Sequence, residues 1–298
     1  MTTALAAAAL WCAVAARAAD PVQPAQLRAL PGTAVELAAK DGWKLKAVYS
    51  PAQEGRLSIV LLHGTGGRKE DWYRMAKALA KRGFGYVALD LRGHGESRTT
   101  PDGKPAVWRK FVVSKNYNEY LNMMEDVAAA VAYLETQGVP DEQIALLGAD
   151  VGSSLALRYA ALHPKIPMVG LLSPRLQYQD VTTVNAMRAY KDRPVLMVYS
   201  EADKGTAKEL PILQHFAKMS AGERQVTVLA APAEHGVKML RGPVVGRIID
   251  WFENPTQQLD AALAADTATV NGETAEPAPT PSGSTDDDAA PAAAPPAP

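Results

Sequence analysis

Cysteine is almost absent: Cys12 is the only one in 298 residues. It lies in the apolar opening "MTTALAAAALWCAVAARAAD", where Ala16-Arg17-Ala18 and Ala19 form an A-x-A-like cleavage site. Residues 1–19 therefore read as a signal peptide, although no Lys or Arg precedes the apolar run; the alternative is an ordinary apolar N-terminal helix. The run is too short and Ala-rich to span a bilayer. Trp11 before Cys12 argues against lipidation, which wants small residues there. Cleavage would leave a mature chain without cysteine, excluding disulfides, thiolate catalysis and Cys-ligated metals. The expected location is outside the cytoplasm, periplasmic or secreted, with no membrane span in the mature chain.

An excess of either charge is also missing. There are 31 Lys and Arg against 32 Asp and Glu, with no basic runs, so the overall charge makes no case for nucleic acid or an anionic membrane surface. Histidine is scarce. His63, His94, His163, His215 and His235 are scattered without ligand spacing, and no metal is expected. The glycines of "HGTGGRKE" (63–70) lack the Walker pattern, so no nucleotide or other cofactor is expected. Large apolar residues become rare from Gln257 onward. The Ala/Pro/Thr/Asp-rich residues 257–298 cannot bury a core and read as a disordered tail, leaving one globular domain at 30–255.

Within that domain, strand and helix patterns alternate. Residues 33–39 and 44–50 alternate apolar with polar around "KDGW" and predict a half-exposed hairpin. Continuous apolar runs at 57–63, 84–92, 143–148, 168–173, 194–200 and 225–231 predict buried strands. Helical patterns fall at 70–82, 118–137, 151–163, 181–190, 206–219 and 237–252. Such alternation predicts an α/β fold: a mostly parallel, twisted sheet with helices on both faces and ligands at the carboxyl ends of its strands.

One of those ends is unusual. In "ALLGADVGSSLAL" (145–157) an apolar run meets a Gly–x–Asp–x–Gly turn and then a helix. The usual strand–turn–helix elbow of acyl-transfer enzymes carries Ser at the centre; here it is Asp150, and Ser153 and Ser154 fall inside the helix. Read on its own, Asp150 suits a helix N-cap, with its carboxylate accepting from backbone N–H groups and held ionised by the helix dipole. An ionised carboxylate is also the state a nucleophile needs.

The other strand ends carry "HGTGG" (63–67), "DLRGHGES" (90–97), "SEADKG" (200–205) and "APAEHG" (231–236). In this order, over residues 33–252, the chain resembles the α/β-hydrolase superfamily, most of all its small, lidless esterase- and dienelactone-hydrolase-like members. The resemblance implies the α/β-hydrolase fold with no full lid domain, a small-molecule substrate, and a triad of Asp150, Asp203 and His235. It also implies an oxyanion hole from the backbone N–H groups of Thr65 and Val151, supported by His63, Gly64, Gly148 and Gly152. Glu201 is the rival to Asp203, and His94 and Ser97 read as turn formers. Trp72, Trp108, Tyr117 and Tyr120 read as core or rim, and the irregular segment 98–117 is placed to overhang the site.

The haloalkane dehalogenase and epoxide hydrolase branches use an Asp nucleophile, usually followed by an aromatic residue and a helical lid. Here Val151 follows, and residues 173–193, with Tyr178 and Tyr190, are too short for a lid. Two readings follow. One is a hydrolase of a small ester, lactone, epoxide or halide working through Asp150, Asp203 and His235. The other is a catalytically silent binding protein that has lost its nucleophilic Ser. The sequence leaves the oligomeric state open.

Overall fold

A computed structural model describes residues 29–256. The expected signal peptide, Cys12 and the C-terminal tail lie outside the described residues. Ten strands and six helices follow in chain order: β1 (Thr33–Ala38), β2 (Lys44–Ser50), β3 (Ser58–Leu62), α1 (Tyr73–Lys81), β4 (Gly85–Leu89), α2 (Met124–Thr136), β5 (Ile144–Ala149), α3 (Val151–Leu162), β6 (Val169–Leu172), β7 (Gln177–Tyr178), β8 (Val181–Thr182), α4 (Val184–Tyr190), β9 (Val195–Ser200), α5 (Lys204–Ala221), β10 (Val226–Ala231) and α6 (Pro243–Glu253). Eight strands form one sheet in the order β1-β2-β4-β3-β5-β6-β9-β10. The β1–β2 hairpin joins it antiparallel, β2 against β4, and every pairing from β4 through β10 is parallel.

The continuous apolar runs follow from burial on both faces. All five residues of β3 and of β4 are buried. On β3, Val60 and Leu62 enter the core beneath α2, α3 and α5, whereas Ile59 and Leu61 enter the one beneath α1 and α6. Each such side chain stabilises the fold by roughly 1.5–3 kcal/mol relative to exposure. β3 hydrogen-bonds β4 on one side and β5 on the other, so the chain reverses direction across the sheet there. The carboxyl ends of β3 and β5 consequently flank the crevice such sheets use for ligands.

Four helical expectations are shortened; the one at 70–82 gives α1 only from Tyr73, after a 3₁₀ turn at 69–72. The pattern at 118–137 gives a helix only from Met124, after a 3₁₀ turn at 121–123, because the Asn118 side chain accepts from Tyr120 N–H and donates to Gln179 O. The pattern at 181–190 starts as the strand β8, which turns back on β7 through Gln179 and Asp180, both at positive φ. The 237–252 pattern is broken at Gly242-Pro243: a 3₁₀ turn occupies 236–239, and Pro243 opens α6. A Pro that lacks an N–H suits a first helical position and ends whatever precedes it.

Candidate active site

The elbow between β5 and α3 holds Asp150 at φ 54°, ψ −124°. A non-glycine residue there costs of order 1–3 kcal/mol and persists only when its surroundings enforce it. The enforcement is close packing. A Cβ on Gly152 would lie 2.3 Å from Leu62 O, and one on Gly148 would lie 2.1 Å from Gly152 O. β3, β5 and α3 can approach this closely only without those side chains.

The strained turn changes what Asp150 does. It stands at the N-cap of α3, but its carboxylate makes no capping bond. The cap is provided instead by its carbonyl, which accepts from Ser153 N–H at 3.0 Å and Ser153 Oγ–H at 2.6 Å. The side chain points into the crevice, where Oδ2 accepts from the Thr65 N–H at 2.8 Å. The expected helix N-cap is thus replaced by a bond to the loop after β3. Nor does the setting simply favour the charged form. Burial pushes the Asp150 carboxyl above its ordinary value, resisted by Thr65, by His235 and by the Val151 N–H.

The loop carrying Thr65 is held from below by His63, which is fully buried. Its Nε2 accepts from Leu91 N–H at 3.1 Å, so the proton sits on Nδ1 and is donated to Gly64 O at 2.8 Å. Burial keeps this ring neutral, with its pKa lowered to about 4. His94 packs beside it, ring centroids 4.9 Å apart, and is lowered further, to about 3.

On the opposite wall, His235 Nδ1 meets Asp203 Oδ2 at 2.6 Å. Asp203 caps α5 through Thr206 N–H and accepts from the Thr206 hydroxyl at 2.6 Å. Burial alone would raise the Asp203 carboxyl; Thr206 and His235 outweigh it and hold it below its ordinary value. Glu201 pairs with Tyr199 instead. Asp150 and His235 line one cavity of about 300 Å³ with Thr65, Asp71 and Lys238. The structure thus brings Thr65, Asp150, Asp203 and His235 together, with His63 and the glycines as scaffolding.

Two neighbours, Thr206 and Asp71, are not singled out by the sequence, although the spacing Asp203-x-x-Thr206 is a capping signal. Asp71 faces the cavity, accepts from Arg68 N–H, and has its carboxyl raised by burial. The ring of Tyr178 stands edge-on to His235 at 6.2 Å, while its hydroxyl donates to Ser173 O. The segment 98–123 passes over the oxyanion turn. Trp108 lies against Gly66 and stacks on His94, and Tyr120 donates to Trp108 O. Asn118 ties this roof to the β7–β8 hairpin. Among the described residues there is no cluster of metal-ligating side chains, and no helix is long and apolar enough to cross a membrane.

Residues 58–200 match the family model described as alpha/beta hydrolase fold. Epoxide hydrolase B of Mycobacterium tuberculosis is 35% identical over 125 residues, 41% of this chain and 30% of that protein. Protein phosphatase methylesterase 1 of Candida albicans is 24% identical over 150 residues, 50% of this chain and 37% of that one. The chain therefore spans about a third of the length of these curated relatives. Among solved structures, the Pyrococcus furiosus esterase Pf2001 superposes with a TM-score of 0.56 at 18% identity, covering 78% of this chain and 93% of that one. Dienelactone hydrolase from Anabaena variabilis gives 0.54 at 16%, covering 72% and 92%.

Proposed function

From the premise that this chain has the α/β-hydrolase fold, we propose that it is a hydrolase acting at an sp3 carbon of a small epoxide or alkyl halide, with Asp150 as nucleophile. The observation that carries this reading is the 2.8 Å bond from Thr65 N–H to Asp150 Oδ2. It leaves Oδ1 as the attacking oxygen. Oδ1 forms a bond to carbon as the C–O or C–halogen bond breaks, and the electron pair departs with the leaving group. The product is an alkyl ester of Asp150 whose carbonyl oxygen, Oδ2, already sits in the oxyanion hole.

The second step uses the opposite wall. His235, oriented through Nδ1 by Asp203, takes a proton from water as the water adds to Asp150 Cγ. Negative charge develops on Oδ2, against the Thr65 N–H. Collapse expels the alcohol carrying the former Oδ1, with the proton returned by His235. Reionisation of Asp150 releases one proton, which leaves with the halide or ends on the opened epoxide oxygen. An acyl ester fits less well: its own carbonyl oxygen would need the donor that Asp150 occupies, and carboxylate attack would give an anhydride. The partial identity to an epoxide hydrolase supports the same reading. The N-terminal segment extends the proposal to an exported, periplasmic or secreted enzyme.

The test is a single turnover in ¹⁸O-water with styrene oxide and 1-bromobutane. Label in the Asp150 peptide and unlabelled oxygen at the attacked carbon are expected. Label at the product carbon would mean direct attack by water and would end the nucleophile reading. A second reading, a silent ligand-binding protein, draws on the raised Asp150 carboxyl and on tyrosines that donate to main-chain carbonyls. Inertness of the native chain, with esterase activity gained by Asp150→Ser and lost again on adding His235→Ala, would favour it.

A further inference from the structure

We propose that the outer face of residues 107–121, on the roof of the cleft, docks on an anionic lipid surface. Seven large apolar side chains are exposed among the described residues, and four of them fall within this one stretch: Val112 (51%), Val113 (36%), Tyr117 (52%) and Leu121 (38%). Their exposure is built into the fold. The inner side of the segment is fastened by Trp108 on His94 and Gly66, and by Phe111 edge-on to Tyr120. Its outer end is a tight turn, with Val113 bridged to Asn118 and Ser114 N–H bonded to Tyr117 O.

The charge around these side chains points to the occupant. Residues 98–121 carry five Lys and Arg against two acids, in a chain whose net charge is −1. Of the acids, Asp102 is paired with Lys104, and Glu119 accepts from the Val112 N–H. Arg109, Lys110 and Lys115 are exposed around the apolar tip. Whole-chain neutrality conceals this local asymmetry. Exposed apolar side chains interleaved with Arg109, Lys110 and Lys115 suit the boundary between acidic headgroups and acyl chains, although Leu121, at the end of the stretch, shares a cavity with Asp41 and Glu125. The chain's own C-terminal residues are a poorer match: 257–298 hold seven acids and no Lys or Arg, but only Leu259, Leu263 and Val270 as large apolar residues. They answer the charge and not the hydrophobic face.

Hydrogen exchange of the full chain, with phosphatidylglycerol-containing vesicles and with pure phosphatidylcholine vesicles, tests this locally. Amides within 107–121 are expected to gain protection from anionic vesicles only, and to lose it in high salt. Lys110→Glu/Lys115→Glu should weaken binding by more than about tenfold. Val112→Ser/Val113→Ser should reduce the protection while the thermal unfolding midpoint stays in place. Absence of binding, or binding that leaves 107–121 unchanged, overturns the proposal. So does protection of 107–121 before vesicles are added, if deletion of 257–298 removes it; the tail would then be the occupant. The readout is independent of any turnover by Asp150.

Discussion

Acidification should weaken this protein through two histidines beneath its cleft. His63 and His94 are buried, with pKa values lowered from the ordinary 6.5 to about 4 and about 3. Between those values and 6.5 the unfolded chain binds protons that the folded one refuses. Stability is therefore full above about pH 6.5 and falls as pH drops toward the folded pKa. For one such histidine, the loss between about pH 7.5 and about pH 5 is about 2 kcal/mol. The perturbation is His94→Phe, which keeps a ring against Trp108 but leaves Arg92 O without its 2.9 Å partner. That lost bond costs about 1 kcal/mol at every pH. The pH-dependent part should shrink by about 2 kcal/mol, one proton's worth. Urea unfolding of both proteins across this range measures the difference, and subtraction cancels the titrating groups that do not touch His94. Equal pH dependence in the two proteins would refute the claim that His94 is held neutral by burial.

Other consequences are as direct. In Gly64→Ala the new Cβ would stand 2.7 Å from Asp150 Cβ and 2.9 Å from its Oδ2. It should push the carboxylate off Thr65 N–H and reduce kcat by about 10²–10³-fold, with the far-ultraviolet circular dichroism unchanged. Asp126→Ala removes the carboxylate that holds the buried Arg92 through its Nε and backbone N–H. Among the described residues Asp41 is then the guanidinium's only carboxylate partner, and urea unfolding should show a loss of roughly 3–5 kcal/mol.

The sheet was legible because burial on both faces demands unbroken apolar runs, and β3, β4 and β5 are such runs. The Gly–x–Asp–x–Gly turn at Asp150 is a local feature, whereas the places of Thr65, Asp203 and His235 came from the resemblance in the order of the strand-end motifs. What failed depended partly on contacts distant in sequence and partly on local turns. Asp150 read as a helix cap because propensity reports local geometry; the partner that takes its carboxylate, Thr65, is 85 residues away. The helices expected from 118 and 181 were shortened by one long-range bond, Asn118 to Gln179, and by a tight turn at Gln179–Asp180. The basic and apolar roof does not show in the net charge, because its excess of Lys and Arg is balanced by acids elsewhere in the chain.

The position of β10 in the sheet bears on the order in which the protein is made. Among the described residues β10 is the last strand and an edge strand, paired only with β9, and it is backed by α6 through the bond from Trp251 Nε1 to Thr227 Oγ1. His235 follows it. A chain leaving the ribosome N-terminus first therefore has Asp150 and Thr65 long before it has His235. On the proposed chemistry, a chain cut before Val226 that kept its elbow would accept an alkyl group once and never release it. On that chemistry, the intact edge strand separates a catalyst from a suicide trap.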